Sequence, residues 1–185
     1  VTGAMLQLVR LLGQQVAVAS TSDLTDSGLA RFVEDAIELA TLAQPDRFAG
    51  PPSNDLLSKP EEHPDLDLYD PAVESVRADE ALRQAIVAEK AALASDPRLT
   101  NSEGATFSRV SGGSAIVTNA GFRGAVWGTY VSLSVSPVAD DGPSGKKRSG
   151  HAWSASRRLA DLENAEVVGK EAAQKTIAKI GARKI

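Results

Sequence analysis

One stretch of the chain, from Asn101 to Ala139, is rich in β-forming residues and restricts what the rest can fold into. Between residues 126 and 138, apolar side chains alternate with serine and threonine at a period of two. This pattern predicts a long antiparallel strand with one buried face and one hydroxylated face. The apolar members are Val131, Leu133 and Val135, and the serines are Ser132, Ser134 and Ser136.

Two glycine-containing turns are predicted to divide this stretch. The first, Ser-Gly-Gly-Ser at 111–114, separates two short β-rich segments, 106–110 and 115–119, and is typical of a β-hairpin. The second is 119–124, where two glycines are free to take positive φ. The sequence therefore predicts three or four antiparallel strands in this region and the segment that follows it.

Three amphipathic helices are predicted on either side of the β-rich stretch. Residues 27–43 carry apolar side chains at the spacing of one helical face, and Thr25 is placed to cap the first turn. A second, alanine-rich helix is predicted over 75–95, before an Asp-Pro pair. A third is predicted after Asn164, which is a suitable N-cap residue. The apolar faces of these helices are expected to pack against a β-sheet.

The remaining segments complete the predicted order of elements. Residues 6–19 predict one or two strands, and 151–156 predict a further one. The proline-rich connection 46–73 is expected to drape over the domain, and 140–150 is expected to be a polar loop. Because strands and helices are segregated, the sequence predicts an α+β fold, an antiparallel β-sheet covered by amphipathic helices, as a single domain over 1–185.

Composition excludes several classes of protein. The chain has 185 residues and no cysteine, so it has no disulfide, no thiolate zinc site and no cysteine nucleophile. Its net charge of −4 argues against a nucleic-acid-binding protein, which usually presents a basic face. No apolar run approaches the roughly 20 residues that cross a bilayer. We therefore expect no membrane partner, and nucleic acid is an unlikely one.

No motif in the sequence predicts catalysis within this chain. The two histidines, His63 and His151, are far apart and belong to no HExxH motif, so no zinc site is predicted. There is no GxSxG elbow, and the glycines near Lys146 lack the spacing of a phosphate-binding loop. We expect no catalytic, cofactor-binding or metal-ligating residues here.

Two kinds of binding surface remain open. The cations at 146–148 and 157–158, with Trp153 between them, could hold a phosphate backbone or an acidic peptide, but pairing with nearby aspartates is the favoured interpretation. The strand at 126–138 could accept an extended peptide by β-augmentation, unless the domain's own helices cover the sheet. Polar and aromatic residues near the turns are candidates for recognition.

Four sequence runs resemble one known family. They are NSEGA at 101–105, VTNAGFRG at 117–124, GTYVSLSVSPVADD at 128–141, and a basic run over 146–163 that ends in SASRRLADLE. In order and spacing they are similar to the amino-terminal domain of the TldD/PmbA family, and more to its PmbA (TldE) branch than to its TldD branch. The resemblance extends from about Leu12 to Ile185.

The resemblance implies a cytoplasmic protein, from bacteria or archaea, that pairs with a TldD-like catalytic subunit or with itself. That assembly would degrade or mature unfolded peptides, with zinc held by the TldD-like partner and none in this fragment. This domain would serve substrate access and subunit pairing, and a carboxy-terminal domain is expected to be missing. Older family labels describe a modulator of DNA gyrase. The alternative is a non-enzymatic regulatory or scaffold module that binds a partner protein through its sheet edge.

Matching positions in the family's motifs are predicted to be mostly structural, with a smaller set as candidates for contact with substrate or partner. The candidates are Asn101, Asn119, Phe122, Arg123, Trp127, Trp153, Arg157 and Arg158.

Overall fold

The computed structural model describes residues 5–182. The chain separates into two compact units, which divide between Ser58 and Lys59. The prediction of one domain over residues 1–185 stays a prediction. No helix within the described residues is long and apolar enough to cross a membrane.

The first unit is a β-hairpin with one helix. Its elements are β1 (Leu6–Leu12), β2 (Gln15–Thr21) and α1 (Asp26–Leu42). The strands are antiparallel, and Gly13 takes a positive φ of 61° between them, as a tight turn requires. The Thr25 hydroxyl accepts a hydrogen bond from the Gly28 amide at 3.2 Å, which confirms the predicted cap. The Gln15 side chain donates to the carbonyl of Ala43 at 2.8 Å and so joins the hairpin to the end of α1.

The second unit contains a four-stranded antiparallel sheet. Its strands are β3 (Leu99–Val117), β4 (Arg123–Asp140), β5 (Lys147–Ser149) and β6 (Ala152–Ser156). The long strand β4 pairs with β3 on one side, and with β5 and β6 on the other. Together with the helices this gives an α+β fold, which confirms the predicted class.

The hairpin turn predicted at 111–114 is wrong. β3 runs straight through these residues, with Gly113 opposite Trp127, and the chain reverses further on, at 118–122. The reason is the tryptophan ring: a Cβ placed on Gly113 would lie 2.4 Å from Trp127 Cε3. The glycine therefore makes room for a cross-strand aromatic side chain instead of turning the chain.

The helices of the second unit pack on one face of the sheet. They are α2 (Pro71–Ser75), α3 (Ala78–Ala94) and α4 (Ala165–Ile177). Leu133 and Val135 point toward α3 and α4 and are almost fully buried, as the alternation in β4 predicted. The other members of this core are Ala88, Ala92, Ala152, Ala165, Val168 and Ala172. Because these are small side chains, the helices approach the sheet closely.

One predicted connection differs from the structure and another agrees with it. The segment 140–150, predicted to be a polar loop, contains β5, which pairs with the end of β4, so the prediction is wrong for residues 147–149. The last part of the proline-rich connection lies along β4 as expected: the Thr129 amide donates to the Leu68 carbonyl at 2.9 Å, and the Asp70 amide donates to the Thr129 hydroxyl at 2.9 Å. This segment satisfies β4 backbone groups beyond the end of β6.

Asp141, at the corner after β4, joins three parts of the second unit. Its carboxylate accepts hydrogen bonds from the Gly181 amide at 2.6 Å and from the Ser144 hydroxyl at 3.0 Å. It also forms an ion pair with Arg148 at 2.6 Å. The Gly181 amide and the Arg148 guanidinium hold the Asp141 pKa below its ordinary value of 3.8. Since the folded pKa is depressed, the carboxylate stabilises the fold above pH 3.8, and this contribution is lost as pH falls below that value.

We expect Asp141→Asn to destabilise the chain at pH 7 and to weaken its acid dependence. The wild type should lose more stability than the variant between pH 7 and pH 3, because the variant has no carboxylate to protonate at this corner. Urea unfolding at the two pH values measures both effects. Equal losses of stability in the two proteins would contradict this role of Asp141.

Candidate functional site

The end of the β3–β4 hairpin forms a two-stranded arm, here named the distal arm, in which residues 112–117 pair with 123–128. Four large apolar side chains of the arm are each between 48% and 70% exposed. By the strand register, Ile116 and Val126 lie on one face of the arm, and Val117 and Trp127 on the other. An arm that is apolar on both faces is unusual for a solvated surface and indicates a region of contact with another molecule.

The outer edge of β3 is unprotected along the same region. Within the described residues β3 pairs only with β4, and residues 110–122 include no charged side chain. Soluble proteins commonly blunt such edges with charges, prolines or bulges. Here the irregularity is confined to the inner end, where the register shifts between Ser102 and Ala105 and Gly104 has a φ of 118°. The distal part of the edge remains available for strand pairing.

The predicted candidates Asn119, Phe122 and Arg123 lie together at the tip of the arm. Asn119 is exposed in the turn, and Arg123 is the first residue of β4 and is also exposed. The Phe122 ring packs against the imidazole of His63, with ring centroids 5.6 Å apart. The tip is therefore held by the proline-rich connection while its polar groups face outward.

Asn101 lies at the opposite end of the ribbon. Its side-chain oxygen accepts a hydrogen bond from the Ser102 amide at 2.8 Å, beside the β3 bulge. Sixteen residues of strand separate it from Val117, which corresponds to roughly 50 Å along the ribbon. Asn101 thus has a local backbone role and does not share a site with the tip.

The face of the sheet opposite the helices, here named the open face, is uncovered by the second unit's helices. It carries five hydroxyl or small side chains together with Val110, Tyr130 and Trp153, which are 59%, 44% and 61% exposed. Trp153 is in register with Ser134, and Tyr130 with Val110. The hydroxyl and small members are Thr106, Ser108, Ser132, Ser134 and Ala155. The hydroxylated face predicted for β4 is therefore open to a binding partner.

Arg157 and Arg158, which follow β6 directly, have different surroundings. Arg158 forms an ion pair with Asp67. The side chain of Arg157 lies over β4 at Gly128, on the side of the open face. A Cβ added to Gly128 would be 3.4 Å from the Arg157 Nη1 atom. Within residues 5–182 no carboxylate forms an ion pair with Arg157 inside 4 Å. Arg157 is thus an exposed and unneutralised cation at the border of the open face.

Two of the three cations at 146–148 form ion pairs. Lys147 pairs with Asp140, and Arg148 pairs with Asp141 at 2.6 Å. Arg148, Asp140 and Asp141 border a cavity of about 590 Å³ at the β5 end of the sheet, far from the distal arm. The favoured interpretation of these cations as members of ion pairs is confirmed for both residues.

The described residues do not fit a bound zinc ion. Between residues 5 and 182 no group of three or more histidine, cysteine, aspartate or glutamate side chains is placed to hold a metal. His151 instead lies 3.0 Å from the Ser136 hydroxyl, through its Nδ1.

The residues predicted to contact substrate or partner lie in three separate places and do not form one pocket. The distal arm and its tip contain Asn119, Phe122, Arg123 and Trp127. The open face contains Trp153 and Arg157. The other two candidates, Asn101 and Arg158, form local structural contacts. Sequence reasoning missed the contribution of Leu68, whose carbonyl pairs with β4. The alternating Asp-Leu-Asp-Leu pattern at 65–68 is the signal that could have predicted an extended segment there.

Comparisons with known proteins agree on one family. Residues 71–180 match the family model described as the PmbA/TldA metallopeptidase central domain. The chain is 35% identical over 167 residues to metalloprotease PmbA of Escherichia coli O157:H7, covering 90% of this chain and 36% of that protein. It is 32% identical over 174 residues to a PmbA homologue of Haemophilus influenzae, covering 94% and 37%. The chain thus spans little more than a third of the length of these relatives.

Solved structures share the fold. A protein of Bacteroides thetaiotaomicron, described as a proposed modulator of DNA gyrase, aligns with a TM-score of 0.80 at 22% identity, over 97% of this chain and 40% of that one. TldE of Thermococcus kodakarensis aligns with a TM-score of 0.74 at 17% identity, over 95% and 38%. The family model describes a central domain, whereas the sequence motifs predict an amino-terminal one.

Proposed function

Because the chain belongs to the PmbA/TldD metallopeptidase family, we propose that it is part of a PmbA/TldE-type subunit that acts in proteolysis or maturation of unfolded peptides. In this proposal the chain contributes surfaces for subunit pairing and substrate access in the cytoplasm, and a TldD-like subunit holds the zinc. The name metalloprotease carried by the PmbA relatives supports the reaction class.

The distal arm is the observation that carries the proposal. It is apolar on both faces, and its β3 edge is uncharged from Val110 to Phe122. Such a surface is stabilised when another protein covers it, because burial removes apolar area from water and pairs the free backbone groups. We assign subunit pairing to the arm, with a TldD-like subunit as the partner and a second copy of this chain as the alternative.

The open face supports the second half of the proposal. It presents hydroxyl groups and two aromatic side chains without a covering element of the second unit. Hydroxyls can donate and accept hydrogen bonds, and aromatic rings contact many kinds of side chain, so this surface suits polypeptides of varied sequence. We assign substrate access to the open face.

We expect Val126→Asp to weaken pairing between the full-length protein and a TldD-type subunit at least tenfold. The substitution puts a charge in the apolar arm, where burial in an interface would leave it unpaired. Val167→Asp is the matched control, because Val167 is 46% exposed on α4 and Val126 is 48% exposed on the arm. Co-purification, zinc analysis and an assay on an unfolded peptide measure the outcome.

Each result of that experiment is informative. Zinc and cleavage found only in the pair, with pairing lost in Val126→Asp alone, support the proposal. Zinc binding and cleavage by the full-length protein alone would make it a catalytic member instead of an accessory one. If Val126→Asp and Val167→Asp pair equally well with the partner, the arm is not the pairing surface.

The free edge of β3 also favours a second candidate function. A non-enzymatic regulatory or scaffold module would bind a partner protein through that edge by strand addition, and the exposed Val110, Ile116 and Val117 would add apolar contact. This function predicts complexes that form without zinc and without peptide cleavage, whichever partner is supplied. The zinc analysis and peptide assay therefore separate the two functions.

A further inference from the structure

We infer that the open face binds an extended polypeptide through an acidic side chain that pairs with Arg157. The inference rests on the proposed role in peptide processing, and it names the class of substrate segment that this surface would select. The ligand is an unfolded stretch of chain with an aspartate or glutamate near an apolar residue.

The charge distribution around the face is the first argument. The strand residues that form the open face are uncharged, and Arg157 is the cation beside them. The neighbouring Arg158 is neutralised by Asp67, whereas Arg157 forms no ion pair with any described carboxylate. An unpaired guanidinium beside an uncharged surface is complementary to a ligand that carries one carboxylate.

The position of the guanidinium is the second argument. It lies over the backbone at Gly128, where a Cβ would come within 3.4 Å of Arg157 Nη1 and 3.3 Å of the Leu68 carbonyl. The glycine thus makes the space in which the arginine side chain rests against the sheet. The Arg157 carbonyl accepts a hydrogen bond from the Thr129 hydroxyl at 2.8 Å, which fixes the backbone from which the side chain extends. An arginine supported in this way loses less conformational freedom when it binds a carboxylate.

The spacing of Trp153 and Arg157 sets the form of the ligand. They are four residues apart on one side of β6 and its extension, which corresponds to about 13 Å. An extended peptide would therefore place an apolar side chain on Trp153 and an acidic side chain on Arg157 when the two are about four residues apart in its sequence. The Ser132 hydroxyl lies between these points, opposite Ala155, and the Ser134 hydroxyl lies opposite Trp153; both can form hydrogen bonds with the peptide's polar groups.

Other occupants fit the face less well. A nucleic-acid strand needs several cations along its backbone, and this face offers one. Two copies of the chain packed face to face would offer Arg157 no carboxylate from the strands, because the strand residues of the open face are uncharged. A peptide with one carboxylate avoids both difficulties.

The test uses Trp153 as a fluorescent reporter. The chain has two tryptophans, so Trp127→Phe leaves Trp153 as the single one. This variant is titrated with three amidated peptides of one sequence, which carry a leucine and, four residues away, glutamate, glutamine or lysine. We expect the glutamate peptide to bind at least tenfold more tightly than the lysine peptide. Arg157→Gln should abolish that preference, and Arg158→Gln should keep it.

The outcomes separate this inference from the proposed function. Equal binding of the three peptides, or a preference that survives in Arg157→Gln with an unchanged circular dichroism spectrum, would overturn the inference. So would a neutral peptide with a free carboxyl terminus that binds as tightly as the glutamate peptide, because the terminus would then be the recognised group. The absence of any change in Trp153 fluorescence with all peptides would also overturn it. None of these results alters subunit pairing, zinc content or cleavage by the pair, which test the proposed function.

Discussion

Leu133→Ala is expected to lower the free energy of unfolding by about 3 kcal/mol, since removing a buried leucine side chain loses its transfer energy and leaves a cavity. Leu133 is 1% exposed and lies at the centre of the core formed by β4, α3 and α4. Its neighbours are mostly alanines, which have no rotatable side chain to fill the space. We therefore expect little relaxation around the cavity.

Chemical denaturation, followed by circular dichroism, measures this loss. Ser132→Ala is the control, because Ser132 is adjacent in β4 but faces the open side of the sheet. We expect that variant to stay within about 0.5 kcal/mol of the wild type. A loss below 1 kcal/mol for Leu133→Ala would mean that the helices do not pack on the sheet as described.

Gly169→Ala is expected to destabilise the chain by about 2 kcal/mol, as overpacking a close helix contact does. A Cβ on Gly169 would lie 2.3 Å from the carbonyl oxygen of Ala88 and 3.0 Å from the Ala91 side chain. Helix propensity alone favours alanine over glycine by about 1 kcal/mol. The clash with backbone atoms of α3 outweighs this gain, because α3 is itself held against the sheet.

Gly112→Ala is the matched control for the same type of substitution. A Cβ on Gly112 meets no atom within 4 Å, and its φ is not positive. We expect a change within about 0.5 kcal/mol there. Thermal unfolding of both variants compares them directly, and a stabilised Gly169→Ala would show that α3 and α4 are further apart than the structure has them.

Local signals were sufficient to predict the three longer helices, α1, α3 and α4, and the strand β4. Thr25 and Asn164 cap α1 and α4 as expected, each by accepting a hydrogen bond from an amide two or three residues further on. The period of two in β4 reports which face the helices bury. These features depend on neighbours in the chain, so they can be read without knowing the fold.

The features that escaped prediction depend on residues far apart in sequence. Gly112 and Gly113 have the composition of a turn, and only the position of Trp127 across the ribbon explains why a glycine is needed in a strand. The different states of Arg157 and Arg158 follow from Asp67, which lies 91 residues from its partner. The sequence motif identified both arginines as candidates, but it contains no information on which of the two is neutralised by an ion pair.

The uncharged edge of the distal arm also bears on how the chain must be produced in a cell. The segment from Val110 to Val117 is apolar or small, free of proline and charge, and already extended, which are the properties of segments that stack into cross-β aggregates. In the proposed pairing the partner covers the arm, and this property then has no effect. On that proposal, molecules made in excess of the partner display the segment, and the solubility of the chain depends on the ratio in which the two proteins are synthesised.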